Sequence, residues 1–239
     1  MTFTIIALDR RSGELGLASA SCGLFTGNIV PFYSRDGSVL GACQAYPSAS
    51  LKKRVLELVE RGLSVAEVEN ALELLDPYIQ YRQLGFLGRD GRHLTFTGNQ
   101  VTEGAGHLLG KDFLILGNML TRAESLKAMA AAFEAEPEAA LAYRLIKSLE
   151  ACKKAGGQSL EGRSLRERAA CLLVLDREVI PSLDIRINMS EDAVEDLRRQ
   201  YVTLKIYDGF MGICQDEPRN LPDLSAQESL MPFAPGIFD

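Results

Sequence analysis

Thr2 carries the residue chemistry of greatest potential in this sequence. Once Met1 is removed, a hydroxyl and a free α-amine stand on one residue, at the start of the apolar run Phe3 to Leu8. An α-amine titrates near ~7.7–8.0, so it can take the hydroxyl proton at neutral pH, directly or through a water, and make Thr2 a nucleophile. Asn118, between an apolar run and a helix start, offers an amide or neighbouring N–H groups to an oxyanion. Five further residues suit substrate binding. Ser21 ends a small-residue strand beside Thr2, Gln44 ends another, and Arg82 with Gln83 precedes an apolar run, where a guanidinium can hold a carboxylate. His107 stands in a Gly-rich loop and can orient a substrate or shuttle a proton. Cys22 has no His or basic residue nearby in the sequence and reads as a structural thiol.

The elements that position these residues follow from periodicity. Phe3 to Leu8 and Glu14 to Ser21 flank an Asp9–Gly13 turn and read as a hairpin, and Val39 to Gln44 is a third small, apolar strand. Leu51, Val55, Leu58 and Val59 recur at helical spacing up to Gly62, a C-cap, and Ser64 with Glu67 forms a capping box for a helix over 65–75. A second hairpin covers Gln83 to Leu87 and His93 to Thr97, followed by a Gly-rich loop and the strand Phe113 to Leu116. Thr121 with Glu124 predicts another capping box, and Pro137 the start of a second helix towards Lys154. After a polar loop over 155–168 come a buried strand, 170–176, a short extended piece, 185–187, and a helix from Ala193 to about Tyr207 capped by Ser190. This order predicts an α+β fold rich in antiparallel strands, and a four-layer αββα sandwich satisfies it. We read residues 1–190 as one domain and 191–239 as a C-terminal helix and Pro-rich tail packing on it.

Composition excludes several classes. The 239 residues are 46% hydrophobic and 24% charged, an ordinary globular balance, and the net charge of −6 disfavours nucleic acid. No apolar stretch is long enough to span a bilayer, and the run after Met1 is too short for a secretory segment, so a soluble, cytoplasmic protein is expected. Five cysteines without a CxxC pair argue against a disulfide framework, and His93 and His107 lack metal-site spacing, so no metal or cofactor is expected. The fingerprints GxGxxG, GxxxxGK[ST] and GxSxG are missing in their structural settings. The apolar tail Phe233 to Phe238 points to a homo-oligomer.

The pieces Thr2–Ala7, Gly13–Ser21, Val30-Pro31, Arg82–Gly85, Thr97-Gly98, Gly106-His107 and Gly117–Leu120 stand in an order that resembles the family known as domain of unknown function 1028, over residues 2–190. That family is similar to the Ntn hydrolases. The resemblance implies the αββα fold and amide cleavage by an N-terminal Thr, Ser or Cys, with Thr2 at the nucleophile's place. Two departures stand out. No Lys precedes Lys52, so the lysine that proteasome-like relatives place beside the nucleophile has no local counterpart and the free amine must serve alone. Arg168-Ala169 stands where the family often shows Gln-Ser. The expectation is an Ntn-type amidohydrolase acting on a small amide or peptide-like substrate; the alternative is a non-catalytic small-ligand binding or assembly protein on the same fold.

Overall fold

The computed structural model describes residues 1–176 and 181–216, apart from the side chains of 206 and 208–216. The apolar tail Phe233 to Phe238 lies outside the described residues. The chain divides into two compact units, Met1–Leu197 and a second beginning at Arg198. No described helix is long and apolar enough to cross a membrane.

The fold is mixed α/β, with antiparallel sheets and six α-helices among the described residues. β1 (Thr2–Asp9) and β2 (Glu14–Ser21) form the first hairpin, with Thr2 opposite Ser21 and Asp9 opposite Glu14. They sit at the centre of a six-stranded sheet. β11 (Ala169–Leu175) and β12 (Leu183–Ile187) extend it beyond β2, and β8 (Phe113–Asn118) and β7 (Gly106–Gly110) extend it beyond β1. A four-stranded sheet runs β3 (Pro31–Tyr33), β4 (Val39–Ala45), β5 (Arg82–Gly88), β6 (His93–Thr97).

Strand alternation divides the apolar residues between faces. Even positions of β1 (Ile6, Leu8) and odd positions of β2 (Leu15, Leu17) join Leu114 and Leu116 in a cluster with Leu40, Ala42 and Leu87 of the four-stranded sheet, so the two sheets meet face to face. The opposite face of the six-stranded sheet carries α4 (Glu124–Glu134) and α5 (Leu141–Lys154). There the small residues of β2 matter: a β-carbon on Gly16 would lie 2.5 Å from Leu145 Cδ1, so α5 rides directly on the strand backbone. The far face of the four-stranded sheet packs on α2 (Ala49–Glu60) and α3 (Val65–Leu75) through Leu51, Val55, Val68 and Leu72.

Local signals account for most boundaries. Gly62, at φ +84°, closes α2 with bonds from its own N–H to Val59 O and from Leu63 N to Leu58 O, the paired C-terminal pattern that a left-handed residue permits. Ser64 and Glu67 form the expected reciprocal box at α3. The box expected at Thr121 does not form, because the Thr121 hydroxyl donates to Gly156 O at 2.9 Å instead, and α4 starts at Glu124 without a side-chain cap. α5 begins at Leu141 rather than at Pro137, after a turn. The Gly-rich loop contains β7, and the polar loop over 155–168 contains a hairpin of β9 (Gln158–Leu160) and β10 (Arg163–Leu165). α1 is a single turn, Thr26–Ile29, and α6 runs from Ala193 to Asp216, beyond the expected end.

The hairpin turn is fastened by Asp9, 6% exposed, which accepts from the Arg11 N–H at 2.9 Å and from Arg11 Nη2 at 2.8 Å. Those bonds hold the Asp9 carboxyl below the usual carboxylate range. A depressed folded value gives stability that is present above the unfolded value and lost as pH falls through the folded one. Asp9→Asn should therefore cost about 1–3 kcal/mol at neutral pH, the worth of a buried charged acceptor. The deficit should shrink towards low pH; equal melting curves for both proteins at neutral pH would refute it.

Candidate active site at the amino-terminal strand

The apolar alternation of the inter-sheet face stops at one end, where polar residues replace it. Thr2 and Thr4 on β1 face Ser21 and Ser19 on β2, Asn118 pairs with Thr2 from β8, and Gln44 pairs with Gln83 on the opposing sheet. All seven are at most 5% exposed and none is ionisable. Burial of so many neutral polar groups is tolerable only if they bond to one another.

They do, and backbone groups fix the direction of each bond. Gln83 Nε2 lies 2.9 Å from Gly106 O and 3.0 Å from Gly117 O, two pure acceptors, so Oε1 must point the other way. Oε1 accepts from Gln44 Nε2 at 2.7 Å and from Asn118 Nδ2 at 3.0 Å. This leaves Asn118 Oδ1 to accept the Thr2 N–H at 3.0 Å. Gln44 Nε2 also reaches Thr2 O at 3.3 Å, and its Oε1 takes the Thr4 hydroxyl at 2.6 Å. With that proton committed, Ser19 is the donor in its 2.8 Å contact with Thr4. The Thr2 main chain is thus held on both sides, its N by Asn118 and its O by Gln44.

The Thr2 hydroxyl donates to Ser21 Oγ at 3.3 Å, and Ser21 Oγ in turn donates to the Met1 carbonyl. A carbonyl oxygen is therefore already seated beside Thr2 Oγ1. Burial lowers the pKa of the Met1 α-amine in the same place, favouring the neutral amine. Burial likewise pushes the Cys22 thiol up, so Cys22 stays protonated and is a poor nucleophile. Backbone strain flanks the cluster: Ala45 (φ +66°) and Met119 (φ +54°), both non-glycine, directly follow Gln44 and Asn118.

Thr2, Ser21, Gln44, Gln83 and Asn118 thus come together. His107 touches the rim, where Nδ1 lies 3.1 Å from Thr97 Oγ1, which also receives Gln83 Nε2 at 3.0 Å. Arg82 does not join them. It alternates to the other face, pairing with Asp76 at 3.0 Å and donating to Tyr46 O at 2.5 Å, and so pins the preceding loop. One of the two amide N–H donors of Asn118, the residue the sequence suggests for an oxyanion, is committed to Gln83. Thr4, Ser19 and Thr97 escaped the sequence reading, although hydroxyls two residues from Thr2 and Ser21 in apolar strands were the available signal.

The chain is similar to a crystal structure of a Silicibacter pomeroyi protein of known fold and the same family model, at 28% identity and a TM-score of 0.74, over 85% of this chain and 89% of that one. No curated protein matches it. A family model matches residues 2–197, and by that match the chain belongs to the family of unknown function DUF1028.

Proposed function

We propose that this protein is an amidohydrolase of the N-terminal-nucleophile type, on a four-layer αββα sandwich, acting on a small amide or peptide-like substrate after removal of Met1. The observation that carries the reading is the 3.0 Å contact from Thr2 N to Asn118 Oδ1, beside a Thr2 hydroxyl buried at the end of two facing sheets. Freed of Met1, the same nitrogen is an amine held by an acceptor and fixed against its own hydroxyl. No other ionisable group lies within the cluster, so the amine is its proton acceptor.

In this scheme Thr2 Oγ attacks the substrate carbonyl carbon and its proton passes to the amine. The place of the Met1 carbonyl is taken by the substrate carbonyl, and Ser21 Oγ donates to its oxygen as negative charge develops there. The amine returns the proton to the leaving nitrogen as the C–N bond breaks, leaving an ester on Thr2. Water then attacks the ester, giving its proton to the amine, and the acid leaves as Thr2 Oγ regains a proton. Asn118 orients the amine, while Gln44 and Gln83 hold Asn118 and the Thr2 carbonyl.

A second reading has one observation in its favour. Each amide nitrogen of Gln44, Gln83 and Asn118 already donates to a protein acceptor, as suits a non-catalytic protein that binds or assembles through another surface. Covalent labelling separates the two. With the N-terminus established by intact mass, a β-lactone electrophile should leave one adduct, mapping to the peptide that starts with Thr2. Amide turnover in a protein whose Met1 is fully retained, or an adduct confined to another residue, would sink the hydrolase as written.

A further inference from the structure

One buried acid beside this cluster has no ionic partner among the described residues. Glu167, just before β11, is 4% exposed, and among the described residues it forms no ion pair. Lys153 on α5, whose charge acts on Glu167, is turned to Asp192 at 2.5 Å. The carboxylate rests instead on the turn at Gly156 and Gly157: a β-carbon on Gly157 would lie 2.8 Å from Glu167 Oε1. Gly157 also sits at φ +57°, so both space and backbone call for glycine there.

That turn supports Asn118. Gly157 O accepts from Thr121 N at 3.0 Å, Ser159 N donates to Met119 O at 3.0 Å, and Gln158 Nε2 donates to Asn118 O at 2.9 Å. Gln158 is fully buried, and its Oε1 has no donor among the described residues. The orphan acceptor of Gln158 and the acid packed on Gly157 thus flank the same turn, and a proton on the acid removes the cost of burying its charge there.

We propose that Glu167 is a positioning residue acting as a proton-dependent clamp: neutral, it packs on the Gly156–Gln158 turn and keeps Gln158 on Asn118, and its ionisation loosens that hold. The consequence for chemistry rests on the reading that Thr2 and Asn118 form the reactive centre. Burial raises the Glu167 pKa, with Asp192 adding repulsion, while its own N–H and Lys153 offset part of the rise. The other groups facing it are the thiols of Cys22 and Cys152, which burial keeps protonated, and the Lys153–Asp192 pair. A raised folded value means stability that is full below the unfolded carboxylate value and lost as pH rises through the folded one.

The test is a pH titration of the full-length protein by NMR, with glutamate labelled at the carboxyl carbon and asparagine at the side-chain nitrogen. The Glu167 carboxyl should titrate above the other glutamates, and the Asn118 Nδ2 resonance should move with the same midpoint. Glu167→Gln should abolish the Asn118 transition and raise Tm by about 2–4 °C above that midpoint. A Glu167 carboxyl in the ordinary range, or an Asn118 transition that persists in Glu167→Gln, overturns the clamp. The wild-type carboxyl and Asn118 traces need no variant, and a high Glu167 midpoint without an Asn118 transition at the same pH also overturns the clamp, even if Glu167→Gln does not fold. If both transitions coincide while Thr2→Ala turns over amides as fast as wild type, the clamp stands and the reactive-centre reading fails.

Discussion

Thr2→Ala, in protein whose Met1 has been removed, is expected to lower amide turnover by at least ~10⁴-fold while leaving the fold intact. On the proposed mechanism the size follows from losing a nucleophile for which nothing else can substitute, since the remaining binding and carbonyl-polarising groups would supply only a residual acceleration. Retention of the fold follows from the geometry. The Thr2 hydroxyl makes a single 3.3 Å bond to Ser21, whereas the main-chain contacts to Asn118 and Gln44 survive truncation. Thr2→Ser keeps both the hydroxyl and the amine and should retain activity within about one to two orders of magnitude, the loss reflecting a freer χ1. Turnover with pH should rise through the amine pKa and have its limb below ~7.7–8.0, because burial at this end of the strand disfavours the charged amine, as it does at Met1. Steady-state rates against one amide substrate, with melting curves as the control for folding, decide this. Equal rates for Thr2→Ala and wild type would remove Thr2 from the chemistry.

The place of this polar cluster was legible in the sequence for a definable reason. Strand period assigns Thr2 and Thr4, then Ser19 and Ser21, to one face of a hairpin whose remaining positions on that face are Ile6, Leu8, Leu15 and Leu17, so the polar end is written into the alternation. The same period separates Arg82 from Gln83: neighbours on a strand face opposite ways, and only Gln83 enters the cluster. Other features were hidden because they depend on distant chain. β7 lies in a Gly-rich segment whose composition signals turns, and it is a strand only because β8 offers it an edge. Thr121 has the sequence of a helix cap, but Gly156, 35 residues away, claims its hydroxyl. Gln158 and Glu167 sit in what reads as a polar loop, and no local pattern announces that the first would be fully buried against Asn118.

The largest stability effect should come from Gln83. Gln83→Met preserves the length and the apolar stem of the side chain, so the change is confined to hydrogen bonds. It takes from Asn118 Nδ2 the acceptor 3.0 Å away, from Gln44 Nε2 its shorter bond, and from Thr97 Oγ1 a donor. Each buried group left without a partner costs about 1–3 kcal/mol, and losses within one network do not simply add, so we expect about 3–5 kcal/mol in total. In a chain of this size that is a fall in Tm of roughly 6–20 °C. Gln83→Glu should be worse at neutral pH, because it turns carboxylate oxygens towards the carbonyls of Gly106 and Gly117, where the amide nitrogen now donates. Its carboxyl should bind a proton more tightly when folded than when unfolded. The deficit of Gln83→Glu should accordingly shrink as pH falls through that raised value, while that of Gln83→Met stays level. Thermal unfolding of the two variants across pH checks both points, and a Gln83→Met protein melting within 2 °C of wild type would show that the network does not hold this end of the sheets together.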